Sequence, residues 1–163
     1  MAILNIVTCV LICVGIGFAI LSTVGNYWLV LSLSFYSMHS GLWSVCNNNY
    51  CADMTNVSDI INVTRAFMII GCVSYSVAFV SSFLIYAKKI KNHKISGALL
   101  CATAIFLAIG LSTFTNEANN SYINISGFNI AKSFSWSYII GWCSFAISVI
   151  SAVICFAMKV ETE

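Results

Sequence analysis

Charge is what this chain has least of. Only 7% of its 163 residues are Asp, Glu, Lys or Arg, there is one arginine, and there is no proline. A soluble domain usually carries about 25% charged residues. With so few, the chain cannot cover a water-facing surface, so a bilayer is the environment its composition calls for. No basic patch of the kind that grips nucleic acid is present. The two histidines, His39 and His93, both lie in polar breaks, and no acid or base falls within the apolar runs. Pumps, ion transporters and voltage sensors need such groups. An intramembrane hydrolase would need His, Asp or a paired Ser and base. Without proline there is no Pro-Gly interruption of the kind that breaks transporter helices. An enzyme or active transporter is therefore not expected, nor a cofactor.

What is present is apolarity, 60% of the residues, gathered in four runs: 2–24, 66–87, 95–114 and 136–158. Each is about 20 residues, the length that crosses a hydrocarbon core. In lipid the backbone must satisfy its own hydrogen bonds, so each run should be a helix. The first run lacks a basic segment ahead of it and is long for a signal peptide, so it reads as a retained span. One tetraspan domain over 1–163 follows: outer loop 1 at 25–65, a cytoplasmic loop at 88–94, outer loop 2 at 115–135 and a cytoplasmic tail at 159–163.

Orientation comes from "KKIKNHK", Lys88 to Lys94, which holds four of the seven basic residues in one short loop. Cytoplasmic loops are enriched in Lys and Arg. Both termini are then cytoplasmic and the protein is a multi-pass plasma-membrane protein. The same cluster can attract anionic headgroups. Four N-x-[ST] sequons, at Asn56, Asn62, Asn119 and Asn124, all fall in the two outer loops. They are candidate N-glycosylation sites, with Asn62 the nearest to the bilayer.

Of eight cysteines only Cys46 and Cys51 lie outside the runs. In an oxidising compartment two such close thiols favour a disulfide, across a turn made of "NNNY". A metal site would want four ligands and has only His39 nearby; a redox centre would want C-x-x-C. Cys155, near the inner leaflet, is a candidate for palmitoylation or a buried inert thiol. The stretches "NYWLVLSLSFYS", Asn26 to Ser37, and "GLWSVC" read as strands of a small antiparallel sheet on the outer face. Trp28 and Trp43 either pack on that sheet or anchor at headgroup level. Gly15, Gly17, Ala19, Gly71, Gly97, Ala98, Ala102 and Gly110 are small residues that let helices approach within one bundle.

Trp28, then Gly41-Leu42-Trp43, then Cys46 and Cys51 resemble the W…GLW…C…C signature of the peripheral myelin protein, epithelial membrane protein and claudin superfamily. The resemblance covers the whole chain. Claudins usually have a longer gap between the two cysteines. The gap here, with "NVTRAFMII" and "FSWSYIIGW", looks most like the branch holding the lens fibre membrane intrinsic protein; "FSWS" also resembles a natural-killer-cell granule protein. The resemblance implies a membrane all-α, left-handed four-helix bundle with a small extracellular antiparallel β-sheet. It implies a role in cell–cell adhesion, junction formation and membrane organisation. Partners would be the bilayer and the protein itself or related tetraspans, in cis or trans. In such a protein Arg65 would bridge sheet to bundle by bonding loop carbonyls; a snorkelling interfacial charge is the alternative. The chain departs from claudins in ending "VETE", which lacks the hydrophobic terminus of a PDZ ligand, and in the sparse charge of loop 1. A charge-selective pore is the least favoured role. A regulatory or trafficking subunit, packed laterally on a channel, receptor or other membrane protein, is the main rival to adhesion.

Overall fold

A computed structural model describes residues 2–33, 36–47, 50–55, 57–87, 92–120 and 131–158. Four helices, α1 (Ala2–Val24), α2 (Asp59–Tyr86), α3 (His93–Asn120) and α4 (Trp136–Ala157), are each long and apolar enough to span a membrane. Each packs on two neighbours, in the ring α1–α2–α3–α4.

The buried positions show why they pack. On α2 they step through Thr64, Met68, Gly71, Tyr75, Ala78, Ser82 and Ile85; on α4 through Ser137, Gly141, Ser144, Ser148, Ser151 and Cys155. The alternation of four- and three-residue steps is a 3.5-residue repeat, which keeps a seam facing its neighbour in a left-handed supercoil. On α4 the seam is made of small residues. Ser144 Oγ donates to Gly15 O (2.9 Å) and Ser148 Oγ to Leu100 O (2.8 Å), so α4 reaches both neighbours through short polar side chains. Ser82 and Ser96 hydroxyls meet between α2 and α3. Gly15 is needed because a Cβ there would run into the Tyr75 ring and hydroxyl. Gly17 differs: a Cβ there meets nothing within 4 Å, and Ala98 is exposed. These two small residues face outward rather than into the bundle.

The helices run past the apolar stretches. Asp59 starts α2 seven residues ahead of Ala66, with the Ser58 hydroxyl accepting from Ile61 N as its N-cap. Such caps satisfy one of the otherwise free first-turn donors. Helix α3 continues beyond Phe114 to Asn120, and Ser58 Oγ donates to Glu117 Oε1 at 3.0 Å. The start of α2 and the end of α3 are thereby tied to each other.

One end of the bundle carries a five-stranded antiparallel sheet in the order β4-β3-β2-β1-β5. Its strands are β1 (Leu29–Leu33), β2 (Tyr36–Ser40), β3 (Ser44–Asn47), β4 (Tyr50–Asp53) and β5 (Ala131–Phe134). The stretch Asn26 to Ser37, read as one strand from its alternation, instead supplies two: Leu33 pairs with Tyr36, so the chain folds back there. Strand β5, between α3 and α4, pairs with β1 from Leu29↔Phe134 to Ser32↔Ala131.

Candidate functional site

Among the described residues no ionisable cluster lies in the bundle, and the candidate site is the sheet cap and its seat on the helices. The cap begins at Trp28. Its ring is fully buried and its Nε1 donates to Ser22 O in the last turn of α1 at 2.7 Å. A helix leaves its last carbonyls without intrahelical partners, and the indole takes one of them. Phe114 of α3 meets the Trp28 ring edge-on at 4.6 Å, and Tyr138 of α4 lies 5.9 Å away. Tyr138 stacks on Phe134 of β5 at 4.4 Å and shares a 2.6 Å hydrogen bond with Thr115 Oγ1. Trp28 also closes the sheet: its N–H donates to Ser40 O, and its carbonyl accepts from Ser135 N. One tryptophan thus ties β1, β2 and the β5–α4 junction to three helices.

Trp43 does the same on the other side. Its Nε1 donates to Thr23 O at 2.7 Å while 37% of the residue stays exposed. The Arg65 guanidinium lies over its ring, 4.9 Å from the centroid. Arg65 Nε donates to Leu42 O (2.7 Å), Nη2 to Met54 O (3.4 Å) and Nη1 to Asn62 Oδ1 (3.3 Å). A planar fork with several fixed donors suits this task better than an ammonium. Leu42 is fully buried, and a Cβ on Gly41 would sit 2.6 Å from Asn26 Cα. Glycine is needed there for the close approach of two backbones. Each residue of the W…GLW…R set therefore has a distinct contact.

Cys46 and Cys51 face each other in the β3–β4 register and are disulfide-bonded. Cys46 is buried and Cys51 exposed, and Tyr50 N donates to Asn47 Oδ1 at the turn. His39 lies opposite Cys46 in the β2–β3 register, but both sulfurs are taken up in the disulfide, and the His39 ring stacks on Tyr27 at 4.0 Å. Among the described residues no three His, Cys, Asp or Glu side chains converge as metal ligands. Burial lowers the Lys132 ammonium on β5 below the usual lysine range, because the charged form is the one that desolvation penalises.

Asn119 is exposed on the last turn of α3, and Asn62 is exposed on α2, where its side chain serves Arg65. Asn56, Asn124 and Lys88–Lys91 lie outside the described residues. Cys155 is 1% exposed. It lines a cavity of about 10 Å³ at the end of the bundle opposite the cap, with Thr8, Ser82, His93 and Ser96. Palmitoylation there would require that end to open.

Sequence reasoning missed β5, Phe114 and Tyr138 as parts of the seat. The aromatic pair Phe134 and Tyr138, one turn apart around the start of α4, was the available signal.

The sequence profile of the PMP-22/EMP/MP20/Claudin family matches residues 1–155. The rat (Rattus norvegicus) lens fiber membrane intrinsic protein is 26% identical over 146 residues, covering 86% of this chain and 82% of that protein. Human (Homo sapiens) epithelial membrane protein 1 is 30% identical over 143 residues, 85% of each chain. Mouse (Mus musculus) protein NKG7 is 22% identical over 155 residues, 91% of this chain and 87% of that one.

Proposed function

Because the chain belongs to the PMP-22/EMP/MP20/Claudin family of tetraspan membrane proteins, we propose that it is a structural protein of cell–cell contacts. In this reading the cap stands outside the plasma membrane, both termini are cytoplasmic, and the protein organises membrane rather than catalysing a reaction. The observation that supports it is the seating of the cap. Trp28, Trp43 and Arg65 bond the carbonyls of Ser22, Thr23 and Leu42, so a sheet whose edge strand β4 is exposed is held on the end of the bundle. A surface fixed before contact loses less entropy on binding than a flexible loop.

The test mixes two populations of cells carrying differently tagged copies. Enrichment at contacts only where both neighbours express the protein supports adhesion. Uniform distribution, with recovery of one membrane protein from the same cell by crosslinking, would replace adhesion with a lateral regulatory role.

A further inference from the structure

The cavity at the end of the bundle opposite the cap takes its wall from all four helices. Asn5 and Thr8 of α1, Ser82 of α2, His93 and Ser96 of α3 and Cys155 of α4 line it. All six side chains carry a polar group, in a bundle otherwise packed from apolar and small residues. Their hydrogen bonds show what this wall can still take. A hydroxyl has one proton and two lone pairs. Thr8 Oγ1 gives its proton to Leu4 O at 2.9 Å, and Ser96 Oγ gives its own to Ala78 O at 3.3 Å. The proton between the Ser82 and Ser96 hydroxyls must then come from Ser82. All three protons are spent. Thr8 and Ser82 keep both lone pairs free for a donor, and Ser96 keeps one. Asn5 and His93 bring N–H donors to the same wall, and among the described residues neither is bonded to these hydroxyls. The space measures about 10 Å³, the volume of one water and no more. A lipid chain or a hydrated ion is too large for it, and no carboxylate lines it to hold a bare cation.

We propose that this cavity is the binding site of one ordered water. The water donates to Thr8 Oγ1 and Ser82 Oγ and accepts an N–H from Asn5 or His93, with Cys155 of α4 against it. Buried waters typically make about three such bonds, and a bridging water is enthalpically nearly as good as a direct hydrogen bond. One molecule thereby joins helices whose side chains are too short to meet. The cap end of the bundle is fastened by Trp28, Trp43 and Arg65; the opposite end is fastened through solvent. This site is independent of the contact role, which concerns the cap.

The experiment crystallises the full chain from a lipidic mesophase and melts it in nanodiscs. The expected result is a single density peak within hydrogen-bond distance of Thr8 Oγ1 and Ser82 Oγ. Thr8→Val keeps the shape of the side chain and removes one acceptor. Within the protein the Thr8 hydroxyl bonds only Leu4 O of its own helix, so without a water the change should leave melting unaltered or raise it. With the water, the peak should vanish and the melting temperature should fall by about 2–4 °C, the loss of one hydrogen bond. Thr8→Ser keeps the hydroxyl and should keep the peak. An unfilled cavity, a peak that survives Thr8→Val, or a Thr8→Val protein that melts no lower than wild type overturns the site. So does loss of the peak in Thr8→Ser as well, because the methyl group rather than the hydroxyl would then shape the cavity. A melting temperature that shifts on exchanging sodium for potassium would also overturn it, in favour of a cation.

Discussion

Arg65 Nε donates to the carbonyl of Leu42, 23 residues earlier, at 2.7 Å, while the same guanidinium covers the ring of Trp43. The single arginine of the chain thus fastens helix α2 to the loop that leads into β3. Replacing it with Lys should destabilise the protein by about 1–2 kcal/mol, because an ammonium keeps the charge but loses the fork and the stacking. Arg65→Met should cost more, about 2–3 kcal/mol, since two loop carbonyls lose a charged donor. Thermal unfolding of the purified protein in nanodiscs reads both; equal melting of Lys, Met and wild type would remove Arg65 from the seat.

Trp28→Phe keeps the ring in place and deletes the donor to Ser22 O. The expected loss is about 1–2 kcal/mol. Trp28→Ala also empties a fully buried site and should cost about 3–5 kcal/mol. Surface abundance by flow cytometry should fall in the same order.

Gly15→Ala forces a methyl group into the Tyr75 side chain, an overpacking cost of about 1–3 kcal/mol. Pairing it with Tyr75→Phe should recover part of that loss, since one of the clashing atoms is gone. Gly17→Ala is the contrast. It meets nothing and should be neutral or stabilising by up to about 1 kcal/mol through helix propensity. If Gly15→Ala and Gly17→Ala melt alike, the assigned packing of α1 on α2 is wrong.

Cys46→Ser should lower stability by about 2 kcal/mol, the modest value for so short a loop. The Cys46→Ser, Cys51→Ser double variant should match it within error. Hydrogen exchange should quicken at the amides of Ala52 and Tyr50, which pair with β3, and remain slow on α2. Lower surface expression or weaker partner binding is the expected outcome in cells, and normal trafficking with normal adhesion would refute a bracing role.

The depressed Lys132 pKa sets a sign for alkaline conditions. The folded state gives up this proton before the unfolded chain does, so from this group alone stability rises with pH between the lowered value and 10.5. Lys132→Gln should flatten that rise in melts taken across the window; an unchanged slope would exclude Lys132 as its source.

Much of the fold was readable because its signals are local. The apolar runs show in their length and composition alone, and the cysteine pair closes within one hairpin. Gly41 was legible only as part of the signature; its close approach to Asn26 came from the structure. The exceptions are also physical. Alternation across Asn26 to Ser37 has the same period whether the chain continues or turns back, so it could not reveal that β1 and β2 are a hairpin. Gly17 and Ala98 are small residues like Gly15, and only the phase of the 3.5-residue seam puts them on the outer side.

The sequence alone determined the membrane class, the number of long apolar helices and the position of the cystine hairpin. Each follows from a run length or a short spacing that lipid and chain geometry constrain directly. Tertiary structure alone decided how the cap is seated. Phe134 is 105 residues from Leu29, its partner in the sheet, and Phe114 is 86 from Trp28, on which it packs. No periodicity links positions so far apart. They meet because the four-helix ring brings the ends of α1, α3 and α4 together under one indole, whose buried N–H must find an acceptor and finds Ser22 O.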